Sequence, residues 1–367
     1  MKEERRRIFN LVKEGHLTVD EAMILLDNLD KKEAGGNESS STEAFEESKK
    51  DEFNQNFKNI KDKVFGFVDS AVKKVKEVDF DFNFGNAVEA KHTATITEHI
   101  SELELDVANG SITVEPWDKE VVEMNFTVKV FRAESEDQAL KKFLHELNYK
   151  VVGSLLRLTI EPKTMKVETV IYVPRAKYEA LKLRSFNGNI VASNLDAKEC
   201  RVKTANGHIE MKEIISNNVE LETANGNIEL VDSTVNEVEL ESLNGKLTMV
   251  GQFEEVEAQS FNGDITLKLA GNKAKELHLN CVTGGIHVSL LEDYSVKGKC
   301  KTNLGNISVN LDQLEIIEEK REIVSKYVRF NTLTNAPELK LVADTKTGTV
   351  VIDKVKLTVT EEVSTEV

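Results

Sequence analysis

The sequence predicts a mainly β protein, a parallel, single-stranded β-solenoid of the right-handed type with rungs of about 19 residues. Three observations predict it. A motif of the form [ST]-x-N-G-x-I returns at a near-constant period, the residues before it alternate apolar and polar, and chemically similar residues recur at the same place in successive copies. A fixed period of this kind is the mark of stacked units that each bury one face against the next.

The copies themselves carry the case. LKLRSFNGNI from Leu181, CRVKTANGHI from Cys200, VELETANGNI from Val219 and VELESLNGKL from Val238 follow one another at 19 residues, and VEAQSFNGDI from Val256 follows at 18. Weaker copies are LHLNCVTGGI from Leu277, GKCKTNLGNI from Gly298, LELDVANGSI from Leu103 and DTKTGTV near Gly348, nine rungs in all. Within a rung Leu181, Leu183 and Ser185 share one face while Lys182 and Arg184 share the other, which is strand spacing. Asn-Gly supplies the turn, because glycine takes positive φ freely and asparagine tolerates it.

Asn-Gly between strands also suits a two-residue antiparallel hairpin. Against that reading stand the columns: Leu183, Val202, Leu221, Leu240, Ala258 and Leu279 at one position, and Ser185, Thr204, Thr223, Ser242, Ser260 and Cys281 at the next inward one. Coils stacked ~4.8 Å apart produce such ladders. Cys200, Cys281 and Cys300 fall in inward columns and read as small core residues; Cys300 is expected to stack on Leu279, too far from Cys281 for a disulfide. His208, His278 and His287 take outward positions without ligand spacing, so neither a metal nor a cofactor is expected.

The repeat domain is expected over residues 90–360, with flanking strands at Val121–Val130 and Leu155–Val173. Between them Ser135-Glu-Asp-Gln138 opens a helical insertion near 134–148, with Ala139, Phe143 and Leu147 on one face. A second insertion, about Asp312 to Lys340, reads as strand or turn.

The N-terminal part differs in kind. Residues 1–32 read as a helical hairpin, with Ile8, Leu11 and Val12 on one helix and Ala22, Leu25, Leu26 and Leu29 on the other, and with Gly15 and the capping box Thr18–Glu21 between them. About 30 residues bury too little surface to stand alone, so self-association or docking on a protein partner is expected. Residues 33–50 are a Gly/Ser-rich linker. Residues 51–79 form an amphipathic helix whose stripe of Phe53, Phe57, Ile60, Val64 and Phe67 lies among Lys58, Lys61, Lys73 and Lys74. That stripe suits peripheral membrane contact, oligomerisation or a cap on the first rung.

The helical segment VKEGHLTVDEAMILLDNL together with the repeated [ST]-x-N-G-x-I rungs resembles the YvlB/LiaX-like family of Gram-positive bacteria, whose repeat domain is described as adhesin-like. The resemblance covers most of the chain. It implies a role in the cell-envelope stress response to antimicrobial peptides or wall damage, and it carries no catalytic residues.

Composition narrows the function. A formal charge of -16 disfavours nonspecific nucleic-acid binding. No apolar run suits a membrane span or a classical signal peptide, so a cytoplasmic or peripheral-membrane location is expected, with surface exposure by another route left open. The outward residues are sorted by sign: Lys182, Arg184, Arg201 and Lys203 form a basic band, followed by Glu220, Glu222, Glu239, Glu241 and Glu257, with Glu210 and Glu229 on the following strand. Like charges on neighbouring rungs repel, so this patch is a candidate site for a cationic peptide, a basic segment or calcium, or else an ordinary solvated face. No pair of carboxylates flanks a recognisable cleft, and an enzyme is not expected. A non-enzymatic binding or scaffold protein of the envelope stress response is the reading. A surface adhesin or a wall- or polysaccharide-binding protein is the alternative.

Overall fold

The computed structural model describes residues 87–161, 164–322 and 325–355. The chain divides into two compact units, Met1–Asn56 and Phe57–Val367, and the described residues belong to the second. The helical hairpin, the linker and the amphipathic helix with its Phe/Lys stripe lie outside the described residues.

The described part is mainly β: twenty-three strands form one mixed sheet with a single helix among them. The middle repeats show how the motif works. Strands β8 (Lys177–Asn187), β10 (Asp196–Asn206), β12 (Ile215–Asn225), β13 (Ile228–Asn244), β14 (Leu247–Asn262) and β16 (Glu276–Thr283) pair in parallel as long legs, the last halves of β13 and β14 serving this role. Short legs stack beside them: β9 (Ile190–Ser193), β11 (Ile209–Lys212), the first halves of β13 and β14, β15 (Ile265–Leu269) and β17 (Ile286–Leu290). Register partners Cys200↔Val219, Val219↔Val238 and Thr204↔Thr223 sit 19 residues apart. The Asn-Gly pairs therefore do not form antiparallel hairpins in this region.

Each part of the motif has a physical task. The Ser/Thr hydroxyls are buried and donate to the glycine carbonyl of the preceding turn: Thr204 to Gly188 at 3.0 Å, Thr223 to Gly207 at 3.1 Å, Ser260 to Gly245 at 3.2 Å. Cys281 takes the same place, its thiol 3.2 Å from the Gly263 carbonyl. The asparagines form a side-chain ladder in which Nδ2 of Asn206, Asn225, Asn244 and Asn262 donates at 2.9 Å to Oδ1 of the preceding member, beginning from Asn187. Glycine is required because the turns touch: a Cβ on Gly245 would stand 1.8 Å from the Gly226 carbonyl oxygen. Inward Ile190, Ile209, Ile228, Leu247, Ile265 and Ile286 are fully buried and fill the core beside the short legs.

Stacking order departs from chain order at both ends. Strands β2 (Glu102–Asn109) and β3 (Ile112–Trp117) pair in parallel with β8 and β9 on one side, and on the other with β6 (Leu155–Ile160) and β7 (Met165–Pro174), which come later in sequence. At the far end β22 (Glu338–Thr347) and β23 (Val350–Lys354) are inserted between β16/β17 and β18 (Ser295–Leu304)/β19 (Ile307–Asn310). This corrects one expectation: Cys300 does not stack on Leu279, because Ala343 lies between them in register with both.

A purely parallel sheet is also corrected. β1 (Ala87–Ile96) pairs antiparallel with β4 (Val122–Phe131), β4 with β7, and β5 (Leu147–Val152) with β6. At the other end β21 (Lys326–Thr332) pairs antiparallel with β18 and with β20 (Leu314–Arg321), so the second insertion is a β-hairpin. Antiparallel strands at the ends stop the parallel ladder from offering a long continuation. The helix α1 (Glu136–Glu146) starts where Ser135 Oγ accepts the Gln138 N–H, and it buries Ala139 and Phe143. Phe143 lies against Phe126 of β4, ring centroids 5.3 Å apart. Leu147, expected on the helix, instead begins β5 and is half-buried.

Candidate functional site

The outer face of the long legs carries a groove of about 360 Å³. Two outward columns build it. In one, Arg201, Glu220, Glu239, Glu257 and His278 are successive register partners; in the other, two residues earlier, Glu199, Asn218, Glu237, Glu255 and Glu276 are partners. Parallel pairing places equivalent residues of adjacent strands ~4.8 Å apart, so the carboxylates are held in two rows along the stack.

The seven glutamates proposed from sequence do not stay together. Glu220, Glu239 and Glu257 line the groove. Glu222 and Glu241, expected to point into solvent, are 3% and 2% exposed. They lie two residues nearer the turn, in one register column with Lys203 on one side and Gln259 on the other. Glu210 and Glu229 are register partners on the short legs, exposed and away from the groove. The residues missed are Glu199, Asn218, Glu237, Glu255, Glu276 and His278. Strand alternation could have found them, since two residues back from Arg201, Glu220, Glu239, Glu257 and His278 the same face recurs.

At one end the charges are neutralised as the column order implies. Arg201 Nε donates to Glu220 at 2.5 Å, and Lys203 Nζ lies 2.6 Å from Glu220 and 2.8 Å from Glu222. Burial works to raise the Glu220 carboxyl, but the bonds from Lys203 and Glu222 and the charges of Lys203 and Arg201 outweigh it and hold it down at about 2. Glu222 moves the other way: burial raises it, Glu220 adds to the rise, and Lys203 only partly opposes. At the other end His278 Nε2 is 2.9 Å from Glu276. Gln259, 4% exposed and outside the groove lining, donates through Nε2 to Glu257 and leaves its Oε1 buried without a hydrogen-bond partner.

Other chemistry-bearing residues have structural work. Burial pushes the thiols of Cys200, Cys281 and Cys300 up to about 12, which keeps them protonated and unreactive. His208 Nδ1 accepts the Asn227 N–H at 2.9 Å, within a ladder over the turns. Trp117 is stacked on Tyr172 at 5.1 Å, and the Lys119 ammonium lies 4.1 Å from its ring centroid. Among the described residues no three His, Cys, Asp or Glu side chains converge as metal ligands, and no helix is long and apolar enough to cross a membrane.

These features define a mainly β repeat protein of laddered strands with an acidic groove on one face. The chain belongs to the toastrack DUF4097 family, whose model matches residues 100–329, and a SHOCT-like domain model matches residues 3–34. It is 41% identical over 342 residues to the uncharacterized protein YvlB of Bacillus subtilis strain 168, a match covering 90% of this chain and 93% of that protein. Among solved structures it is similar to a "putative adhesin" from Bacteroides fragilis NCTC 9343, at 11% identity and a TM-score of 0.42 over 72% of this chain and 97% of that one. It is also similar to a "putative lipid binding protein" from Parabacteroides distasonis ATCC 8503, at 14% identity and a TM-score of 0.39 over 74% and 97%.

Proposed function

We propose that the repeats wind as one right-handed β-solenoid and that the protein is a non-enzymatic binding scaffold of the cell-envelope stress response, receiving a cationic peptide or basic protein segment in the acidic groove. One observation carries this reading: successive rungs place Glu220, Glu239 and Glu257 in one row and Glu237, Glu255 and Glu276 in the next, around a shared concavity. Rows of like charge repel one another, and a complementary cation relieves that repulsion. The 19-residue register of the middle rungs supports the solenoid. In the same reading the stripe of residues 51–79 tethers the scaffold to a membrane surface or to another copy.

The test is binding of a lysine-rich peptide to the full chain and to its Glu239→Lys/Glu257→Lys variant, with circular dichroism as the folding control. Binding lost by the folded variant, and weakened by salt in the parent, supports the reading. Equal affinity of the two proteins overturns it. Wall-glycan binding that survives the same substitutions favours the adhesin reading.

A further inference from the structure

We infer that the edge strand β1 is an interaction surface for a second copy of this chain, the two β1 strands joining antiparallel about a twofold axis through Ala90. The inference is independent of the acidic groove, none of whose lining residues lies on β1.

The edges of the sheet are not alike. Among the described residues β1, β5, β19 and β20 each pair on one side only. β19 has four residues, β5 has six, and β20 is broken by a bulge between Ile316 and Glu318. Short length and bulges keep an edge from pairing with another chain. β1 has neither protection. Its ten residues hold unbroken register with β4 from Ala87↔Phe131 to Ile96↔Val122, and AVEAKHTATI contains no proline or glycine. Its free side is therefore a row of backbone donors and acceptors fit to receive another strand.

The sequence of β1 selects the partner and the register. Opposite residues of an antiparallel pair point to one face, so a sheet continued through two copies of β1 needs its twofold axis through a residue. An axis through Ala90 sets Glu89 of each copy opposite Lys91 of the other, both exposed, and brings residues 87–93 face to face. An axis through Glu89 or Lys91 sets like charges together, and one through Val88 or His92 leaves both charges unmatched. Opposite charges directly across strands stabilise the pairing, and like charges oppose it. Of these positions Ala90 alone makes the edge complementary to itself.

The covering helix leaves room for the copy. The Phe143 ring of α1 meets both His92 of β1 and Phe126 of β4, with centroids 6.2 and 5.3 Å away, so α1 lies over the seam between the two strands. In the pair the two seams stand two strand spacings apart, ~9.6 Å. Packed helices ordinarily lie about 8–10 Å apart, so each α1 meets its counterpart without being displaced. The second copy thus adds strand to strand and helix to helix.

The experiment measures the mass of the full chain by sedimentation velocity over a concentration series, with circular dichroism as the folding control. The parent should form a dimer. Lys91→Glu and Glu89→Lys should each weaken it about tenfold or more, since each sets two like-charged pairs across the axis. The exchanged variant Glu89→Lys/Lys91→Glu should recover the dimer, a rescue that a merely structural role does not give. Carbodiimide coupling of a mixture of isotopically light and heavy protein should yield a Glu89–Lys91 link between copies. The inference is overturned by a parent that stays monomeric throughout the series, or by an exchange that fails to restore the dimer. A dimer indifferent to the single reversals, as one built on residues 1–79 would be, overturns it as well.

Discussion

The ammonium of Lys203 stands 2.8 Å from the nearly buried carboxyl of Glu222, while also holding Glu220 at 2.6 Å. Lys203 is thus the joint between the basic band and the acidic groove. Removing it leaves two carboxyls on adjacent sites of one strand, one of them buried, without their shared cation. Breaking a buried pair from one side is strongly destabilising. Lys203→Met should lower stability by about 2–4 kcal/mol at pH 7, by comparison with such pairs. The loss should shrink near pH 4, because without Lys203 both carboxyls take up protons more readily and the stranded charge disappears. Urea unfolding at the two pH values checks this; a loss independent of pH would count against it.

Asp344 gives a second pH signature. Burial pushes its carboxyl up to about 6, against the lowering effect of Lys301, Lys299 and Lys346. The folded chain therefore binds a proton between about pH 6 and pH 4 where the unfolded chain does not. Its ionisation opposes folding above pH 6, and this contribution should improve as pH falls through that window. A carboxyl resonance assigned to Asp344 should titrate near 6 by NMR. Asp344→Asn should flatten this part of the stability profile and stabilise the protein at pH 7 by about 1–2 kcal/mol, a shift of that size being worth about 1.4 kcal/mol per unit before the lysines' lost contacts are subtracted.

The turn glycines divide by contact. Gly245→Ala forces a methyl group into the backbone of the adjacent turn, 1.8 Å from the Gly226 carbonyl oxygen, and backbone cannot rotate aside. A loss of about 3 kcal/mol or more, or failure to fold, is expected from such overpacking. Gly153→Ala meets nothing within 4 Å and bears only the penalty of its φ of +63°, about 1–2 kcal/mol. Thermal melts of the pair check the contrast.

The asparagine ladder should protect its own chemistry. Deamidation at Asn-Gly requires the glycine nitrogen to attack the side-chain amide. In the native turns the N–H groups of Gly207, Gly226 and Gly245 donate to carbonyls of the next rung, and Asn206, Asn225 and Asn244 have both amide ends engaged by ladder neighbours. Mass spectrometry after mildly alkaline incubation should find these three intact in the native protein and converted in urea. Equal rates in the two states would show that the ladder offers no protection.

The repeat was legible because stacking imposes the same chemistry at each inward position, and the hydroxyl column is explained by one bond from each Ser or Thr to a turn carbonyl. The displaced order of the end rungs was not. Leu341, Ala343 and Thr345 fit the column beside Leu277, Leu279 and Cys281 as well as they would fit an outermost place, so residue type does not choose between them. In the groove, alternation located Glu220, Glu239 and Glu257 but also placed Glu222 and Glu241 outside. Both lie nearly buried in the register column of Lys203, Glu222, Glu241 and Gln259, a packing that a face assignment does not contain. The pairing of Arg201 and Lys203 with Glu220 and Glu222 was readable in the order of the columns, whereas the orphaned oxygen of Gln259 required coordinates.

The placement of β22 and β23 bears on how the protein is made. Residues 338–354 leave the ribosome after every strand that flanks them, yet they occupy an interior layer, with earlier-made neighbours on both sides. Folding during synthesis proceeds from the N-terminal side. Until that late segment emerges, β18 and β19 must either wait or close against β16 and β17 in a provisional pairing that is later reopened. Translation thus sets the earliest moment at which this end of the molecule can reach its final form.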